Sequence, residues 1–175
     1  LANDPKFKLP EQIEPLGRLG FQGSFVGLYN DFDVNGAFQT ELGDIKTNTS
    51  IEIGKELVYA GALTSPNFNL GAIAKNNIVG NAGLDLKFDG RTTDLSKLDI
   101  ALDGTLTQLE LQQNTLQKVE LQANLSEQIL KTTGQIFDPF AALTYDAQVD
   151  LSAQQPTYKL SANVDQLHLS ALHFL

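Results

Sequence analysis

The amino-acid sequence predicts an all-β chain: a mostly antiparallel, strongly twisted sheet curled into a hydrophobic half-pipe. Three observations predict it. First, from Leu143 to Leu151 every odd residue is apolar and every even one polar. That alternation puts one greasy and one wet face on a strand. The same beat recurs at Phe21–Tyr29, Leu57–Leu63, Leu84–Phe88, Val119–Leu125 and Tyr158–Val164. Second, the strands are long and follow one another across short polar breaks, which is the pattern of an antiparallel meander. Third, the polar positions are rich in amides (Gln108, Gln112, Gln117, Gln122, Gln135, Gln148), as on a uniformly solvated outer wall. Helical segments to cover the greasy face are nearly absent.

Element by element, residues 1–17 hold three of the six prolines and read as an irregular, Pro-rich lead-in. Residues 18–175 read as a single β-groove domain segment. Strands are expected at 18–29, 31–41, 43–53, 56–64, 77–89, 98–112, 115–126, 130–137, 142–152 and 157–170. Asn67–Ala74 has the composition of one helical turn. Thr105–Leu125 is rich in helix-favouring Leu, Gln and Glu. Period two fits Leu109–Leu111 and Val119–Leu125 better, with Gln113–Asn114 as a turn. At about 4.8 Å per strand, ten strands give a trough on the order of 45–50 Å long.

The alternation slips at Thr107–Gln108 and again at Asp165–Gln166, with a third slip near Asn30–Asp31. A one-residue slip flips every side chain to the other face, so a β-bulge is expected at the first two places. The strings Leu106–Leu111 (LTQLEL) and Val164–Leu169 (VDQLHL) look like one motif repeated, as in a stacked array.

Composition excludes several functions. Net charge is -9, which repels nucleic acid and argues against a polybasic membrane patch. There is no cysteine, so neither a disulfide framework nor a thiolate metal site is possible. No apolar run approaches the roughly 20 residues of a spanning helix. With no Met and with Leu at position 1, the chain reads as processed or as a piece of a longer protein.

The motifs that suggest chemistry are weak. Asp31-x-Asp33-x-Asn35-Gly36 opens like a calcium loop, but position twelve is Leu42, where a bidentate Glu is needed, and the flanks alternate as strands. His168 and His173 fall on opposite faces of a terminal strand. No GxSxG or phosphate loop occurs, and the paired acids Asp31/Asp33 and Asp85/Asp89 lie on wet faces. Asn48 and Asn124 are formal glycosylation acceptors. No catalytic residue, metal or cofactor is expected, and the protein reads as a non-enzyme.

What remains is the apolar stripe. The expected lining is Phe21, Phe25, Tyr29, Phe38, Tyr59, Leu63, Leu86, Leu106, Leu121, Tyr145, Val149, Leu160 and Val164, with Gly23, Gly27 and Gly61 leaving room or allowing bends. Such a trough suits phospholipid acyl chains. Two other readings are a surface β-sandwich for binding or adhesion, and a purely structural β spacer. Unprotected end strands would also favour edge-strand self-association.

The stretch Gly23–Ile45 resembles G-x-F-x-G-x-Y-x-D-F-x-x-x-G-x-x-x-T-x-L-G-x-I, a string found in TamB-like proteins of the AsmA superfamily, in their Bacteroidetes branch. Tyr59-Ala-Gly-Ala-Leu followed by Phe68-Asn-Leu-Gly71 resembles a second block of those chains. Phe137-Asp138-Pro139 with Leu143, Asp146 and Val149-Asp-Leu resembles a third, and Asp165-Gln-Leu-His-Leu a fourth. The likeness spans most of residues 18–172. It implies an internal segment of a periplasm-spanning protein anchored in the inner membrane of a Gram-negative bacterium. It further implies a role in outer-membrane biogenesis: phospholipid transport, and help to β-barrel assembly with a barrel partner of the TamA/BamA kind.

Overall fold

The computed structural model describes residues 15–74, 77–94, 99–112, 114–152 and 157–168. The lead-in up to residue 14, Gln113 of the expected turn, and the C-terminal part of the last strand with His173 lie outside the described residues. Ten strands and one short helix are described: β1 (Gly20–Leu28), β2 (Asp31–Thr40), β3 (Gly43–Ile53), β4 (Leu57–Asn69), α1 (Leu70–Ala74), β5 (Val79–Thr92), β6 (Asp99–Leu111), β7 (Asn114–Ser126), β8 (Ile129–Asp138), β9 (Ala141–Asp150) and β10 (Thr157–Leu167).

All ten form one sheet whose spatial order is the chain order. Each strand pairs antiparallel with the next. β1 and β10 do not pair, so the sheet is not a closed barrel. Substantial approach between elements is confined to neighbouring strands and to α1 against β5. Among the described residues, therefore, no second layer faces the sheet. Thr105–Leu125 is two strands, as the alternation requires, and the helical turn expected within Asn67–Ala74 is α1, its N-terminus capped by Asn69 Oδ1 accepting from the Ala72 amide (3.0 Å).

Successive strands run between two rims. One rim carries Leu16, the Glu41–Leu42 turn, α1 and the Pro139–Phe140 turn. The other carries the Tyr29–Asn30, Gly54–Glu56 and Glu127–Gln128 turns. The bulges all lie toward the first rim. Pairing shifts at Ser65/Phe68, Val79/Ala82, Gly83/Leu84 and Val164/Gln166. Thr107 is skipped in the β6–β7 ladder, opposite Lys118, whose φ is +49°. Both bulges expected from register slips are present, in strands that run in the same direction. The slip near Asn30–Asp31 is the two-residue β1–β2 turn.

A bulge bends its strand and orphans backbone donors. Two carboxylates satisfy these. Glu110 Oε2 accepts from the Asn81 amide (2.9 Å) at the β5 bulge, and Asp138 Oδ2 accepts from the Gln117 amide (2.9 Å) beside Lys118. The bent ends bring Phe68, Ala82, Leu84, Leu86, Leu106, Leu116, Val119 and Ala141 into one cluster, with Leu16, Leu42 and Leu70 packed against it. Val119 is 2% exposed. With no second layer present, burial of that depth requires the sheet to curl on itself, as the expected half-pipe does.

Candidate functional site: an apolar trough sealed along one rim

Register places directly paired residues on the same face, so apolar rows can be followed across strands. One row runs Leu63–Leu86–Gly104–Leu121–Gly134–Tyr145–Ala162. A second runs from Phe25 through Val34, Thr49, Gly61, Phe88, Leu102, Ala123, Thr132 and Ala147 to Leu160. A third holds Tyr59, Gly90, Ile100, Leu125, Leu130, Val149 and Tyr158. A fourth, nearest the bulged rim, joins Leu84, Leu106, Val119, Ile136, Leu143 and Val164, with Phe21 and Phe38 at its β1–β2 end.

Twelve of the thirteen residues expected to line the trough occupy these rows. The exception is Tyr29. It keeps step with Phe25 and Gly27 in sequence, but the chain reverses at Tyr29–Asn30, and the residue stands 89% exposed in the turn. Within the rows the environments differ. Leu86 and Leu106 are buried in the packed cluster by the bulged rim. Phe25, Leu160 and Val164, on the edge strands, are exposed. Val34, Phe88, Leu102, Leu125, Leu130 and Ile136 belong to the same face, and each keeps the alternation of its own strand.

The aromatics do not stand upright. A Cβ on Gly90 would lie 2.6 Å from Tyr59 Oη and 2.7 Å from its Cζ, so the Tyr59 ring lies across Gly90, its cross-strand partner. Tyr145 lies across its partner Gly134 in the same way, at 2.8 and 2.9 Å. Phe21 covers the Gly23–Gly36 pair. Aromatic cover over a glycine is a known means of repairing the gap in a sheet face. Tyr59 also donates to the Asp99 carbonyl (2.8 Å). Burial, and then the charges of Asp99 and Asp89, push the Tyr59 phenol above its ordinary range. Burial does the same to Tyr145, partly offset by a hydrogen bond with Thr132. Both phenols are thus held neutral on the apolar face.

Gly104 serves a different purpose. Its φ is +152°, and a Cβ would meet the Asp85 carbonyl oxygen, so only glycine fits between Leu86 and Leu121.

The opposite face is wet. Asp33 accepts from Ser50 Oγ (2.5 Å) across β2–β3, so the Asp31–Gly36 motif is part of a strand. Among the described residues no group of three or more His, Asp or Glu could hold a metal. A shallow concavity of about 540 Å3 opens chiefly between polar-face side chains, including Asp103, Glu120, Gln122 and Gln135. Asp103 and Gln122 already bond each other (3.0 Å); Phe137, an exposed aromatic on that face, lies outside the concavity with Lys118 Nζ 4.9 Å from its ring centroid.

The alternation located the face but not its seal. Glu110 and Asp138, the acids that close the bulged rim, went unrecognised because an acid on a strand reads as a solvated residue. Glu110 carries a positional signal, lying within three residues of the register slip at Thr107–Gln108; Asp138 carries none, because both ladders of β8 are unshifted. Compared with protein-family models, with curated proteins and with solved structures, the chain matches none of them.

Proposed function

We propose that the apolar trough holds phospholipid acyl chains. In this reading the chain is a segment of a TamB-like, periplasm-spanning bridge that serves outer-membrane biogenesis. One observation carries it: a single ten-stranded sheet presents a predominantly apolar face from β1 to β10, broken on β3 by Thr47 and Thr49, and among the described residues no second layer of protein covers that face. The four sequence strings that resemble TamB-like proteins supply the family context. Tails would lie along the rows on the side away from the bulged rim, with head groups in water at the open rim. An acyl chain of about 16 carbons with half its methylenes buried would gain on the order of 6 kcal/mol, enough for reversible holding. The parent protein's inner-membrane anchor and its barrel partner of the TamA/BamA kind belong to the same proposal. No reaction is assigned. The β-sandwich alternative does not suit a single sheet. The spacer alternative draws on the self-packed rim, and the same experiment distinguishes it.

The test is lipid extraction and native mass spectrometry of the protein purified from a Gram-negative host. Wild type should carry phospholipid. Val149→Asp places a charge on the apolar face and should lose it. Gln148→Asp, one residue away on the wet face, should retain it. A lipid-free wild type, or equal lipid in both variants, would overturn the proposal.

A further inference from the structure

The two edges of the sheet are weakly protected against strand pairing: β1 carries no protective device, and β10 carries only Lys159, Asp165 and the bulge at Val164/Gln166 near its end. β1 contains no charge and no proline from Gly20 to Leu28, and it exposes Phe25, Val26 and Leu28. β10 is exposed along its whole length, including Tyr158, Leu160 and Val164 on the apolar face. Its only charges are Lys159 and Asp165. Among the described residues nothing pairs with the outer edge of either strand. Long edges with so little charge and so many exposed apolar side chains are templates for another strand.

We propose that β10 of one copy pairs antiparallel with β1 of a second copy, so that the sheet and its apolar face continue across the joint. Three features of the sheet fit this occupant. The strand count is even, so β10 and β1 run in opposite directions when two copies are set side by side in the same orientation. An even count also restores the alternation of hydrogen-bonded and non-hydrogen-bonded pairs in the unbulged rows, so the ladder continues in phase. Extending those rows without stagger sets Val164 against Phe21, Ala162 against Gly23, Leu160 against Phe25 and Tyr158 against Gly27 of the second copy. The last pair repeats the arrangement found twice inside the sheet, where Tyr59 covers Gly90 and Tyr145 covers Gly134. On the wet face the same register sets Lys159 against Val26 and Asn163 against Gln22, with no like charges opposed. The contact is head-to-tail, so it generates an open series of oligomers and not a closed dimer. It holds whether or not the trough carries lipid.

The chain has no cysteine, which makes the register directly testable. Leu160→Cys and Phe25→Cys are made separately, both at exposed positions, and far-UV circular dichroism checks their folding. The two proteins are mixed and treated with a short bis-maleimide. Cross-linked species should appear in the mixture and be absent from either variant alone. Native mass spectrometry of wild type should show a ladder of oligomers growing with concentration, and Leu160→Glu combined with Phe25→Glu should abolish it. A wild type that stays monomeric at every concentration would overturn the proposal. So would cross-linking of either variant with itself as efficient as in the mixture, because that signals two-fold pairing of like edges. Equal cross-linking by Gln122→Cys, on the wet face away from the edges, would mark nonspecific aggregation and overturn it as well.

Discussion

Leu106 and Leu160 offer a direct test of how much of the apolar face the chain covers by itself. Both are leucines on that face, four strands apart, and replacing either with alanine removes the same three carbons. Leu106 is 6% exposed and Leu160 is 74% exposed. Full burial of the removed carbons is worth about 0.8 kcal/mol each. At Leu106 nearly all of that is lost, and the curled sheet leaves a cavity, so Leu106→Ala should cost about 3–4 kcal/mol. At Leu160 only about a quarter of the surface is out of water, and the cost should be near 0.6 kcal/mol. In urea, with a slope of about 2 kcal/mol per M, the midpoints should fall by roughly 1.5–2 M and 0.3 M. The measurement belongs at low protein concentration, where copies of the chain do not cover one another. Equal midpoint shifts for the two variants would refute the reasoning, since they would mean that something in the chain buries Leu160 as deeply as Leu106.

Two further predictions concern the aromatic covers. Gly90→Ala places a methyl against the Asp99 carbonyl oxygen and under the Tyr59 ring. It should lift the ring, break the Tyr59–Asp99 hydrogen bond and cost about 1–3 kcal/mol in urea unfolding, with loss of near-UV tyrosine signal. Gly54→Ala, whose Cβ would lie 3.7 Å from its nearest neighbour, should stay within about 0.5 kcal/mol of wild type. Because Tyr59 and Tyr145 titrate above their ordinary range in the folded chain, the stability they confer is complete below about pH 10 and is lost as pH rises through their folded values. Urea midpoints should therefore fall in alkali, and the double variant Tyr59→Phe/Tyr145→Phe should flatten that fall. An unchanged alkaline slope would show that neither phenol is coupled to folding.

Much of the architecture is legible because alternation is a direct record of which side of a strand faces water. Leu143–Leu151 and Tyr158–Val164 need no further information to place their faces. The slips at Thr107–Gln108 and Asp165–Gln166 are legible for the same reason: a bulge is the only cheap way to keep Leu109 and Leu167 on the apolar side. β4 was harder. It runs on through Ser65–Pro66–Asn67 to Asn69, but the bulge resets its parity and Pro66 imitates a break, so Phe68 does not look like part of the same face. Tyr29 fails the opposite way, since parity persists into a turn where the chain has already reversed. The covering of Gly90 by Tyr59 and of Gly134 by Tyr145 depends on ring tilt and cross-strand register, neither of which alternation encodes.

The uneven distribution of bulges explains why the trough has one closed side. Every shift in pairing falls toward the rim that carries Leu16, Leu42 and α1, and three of the five buried polar residues among those described, Ser65, Asn114 and Asp138, fall there too. Each bulge adds local twist and bends its strand, so a set of bulges at one height turns that rim inward over the apolar rows. Toward the opposite rim the pairing is regular from β1 to β10, and a regular ladder has no reason to bend. Where the sequence breaks step, the sheet seals on itself. Where it keeps step, the apolar rows stay open along the wall. In the proposed lipid-holding role, a guest would enter from that open side, and the neutral phenols of Tyr59 and Tyr145 lie within the apolar rows. A trough of this kind is long and open along one side, and the proposal that it passes a chain of methylenes along a surface, instead of enclosing it in a pocket, rests on that openness.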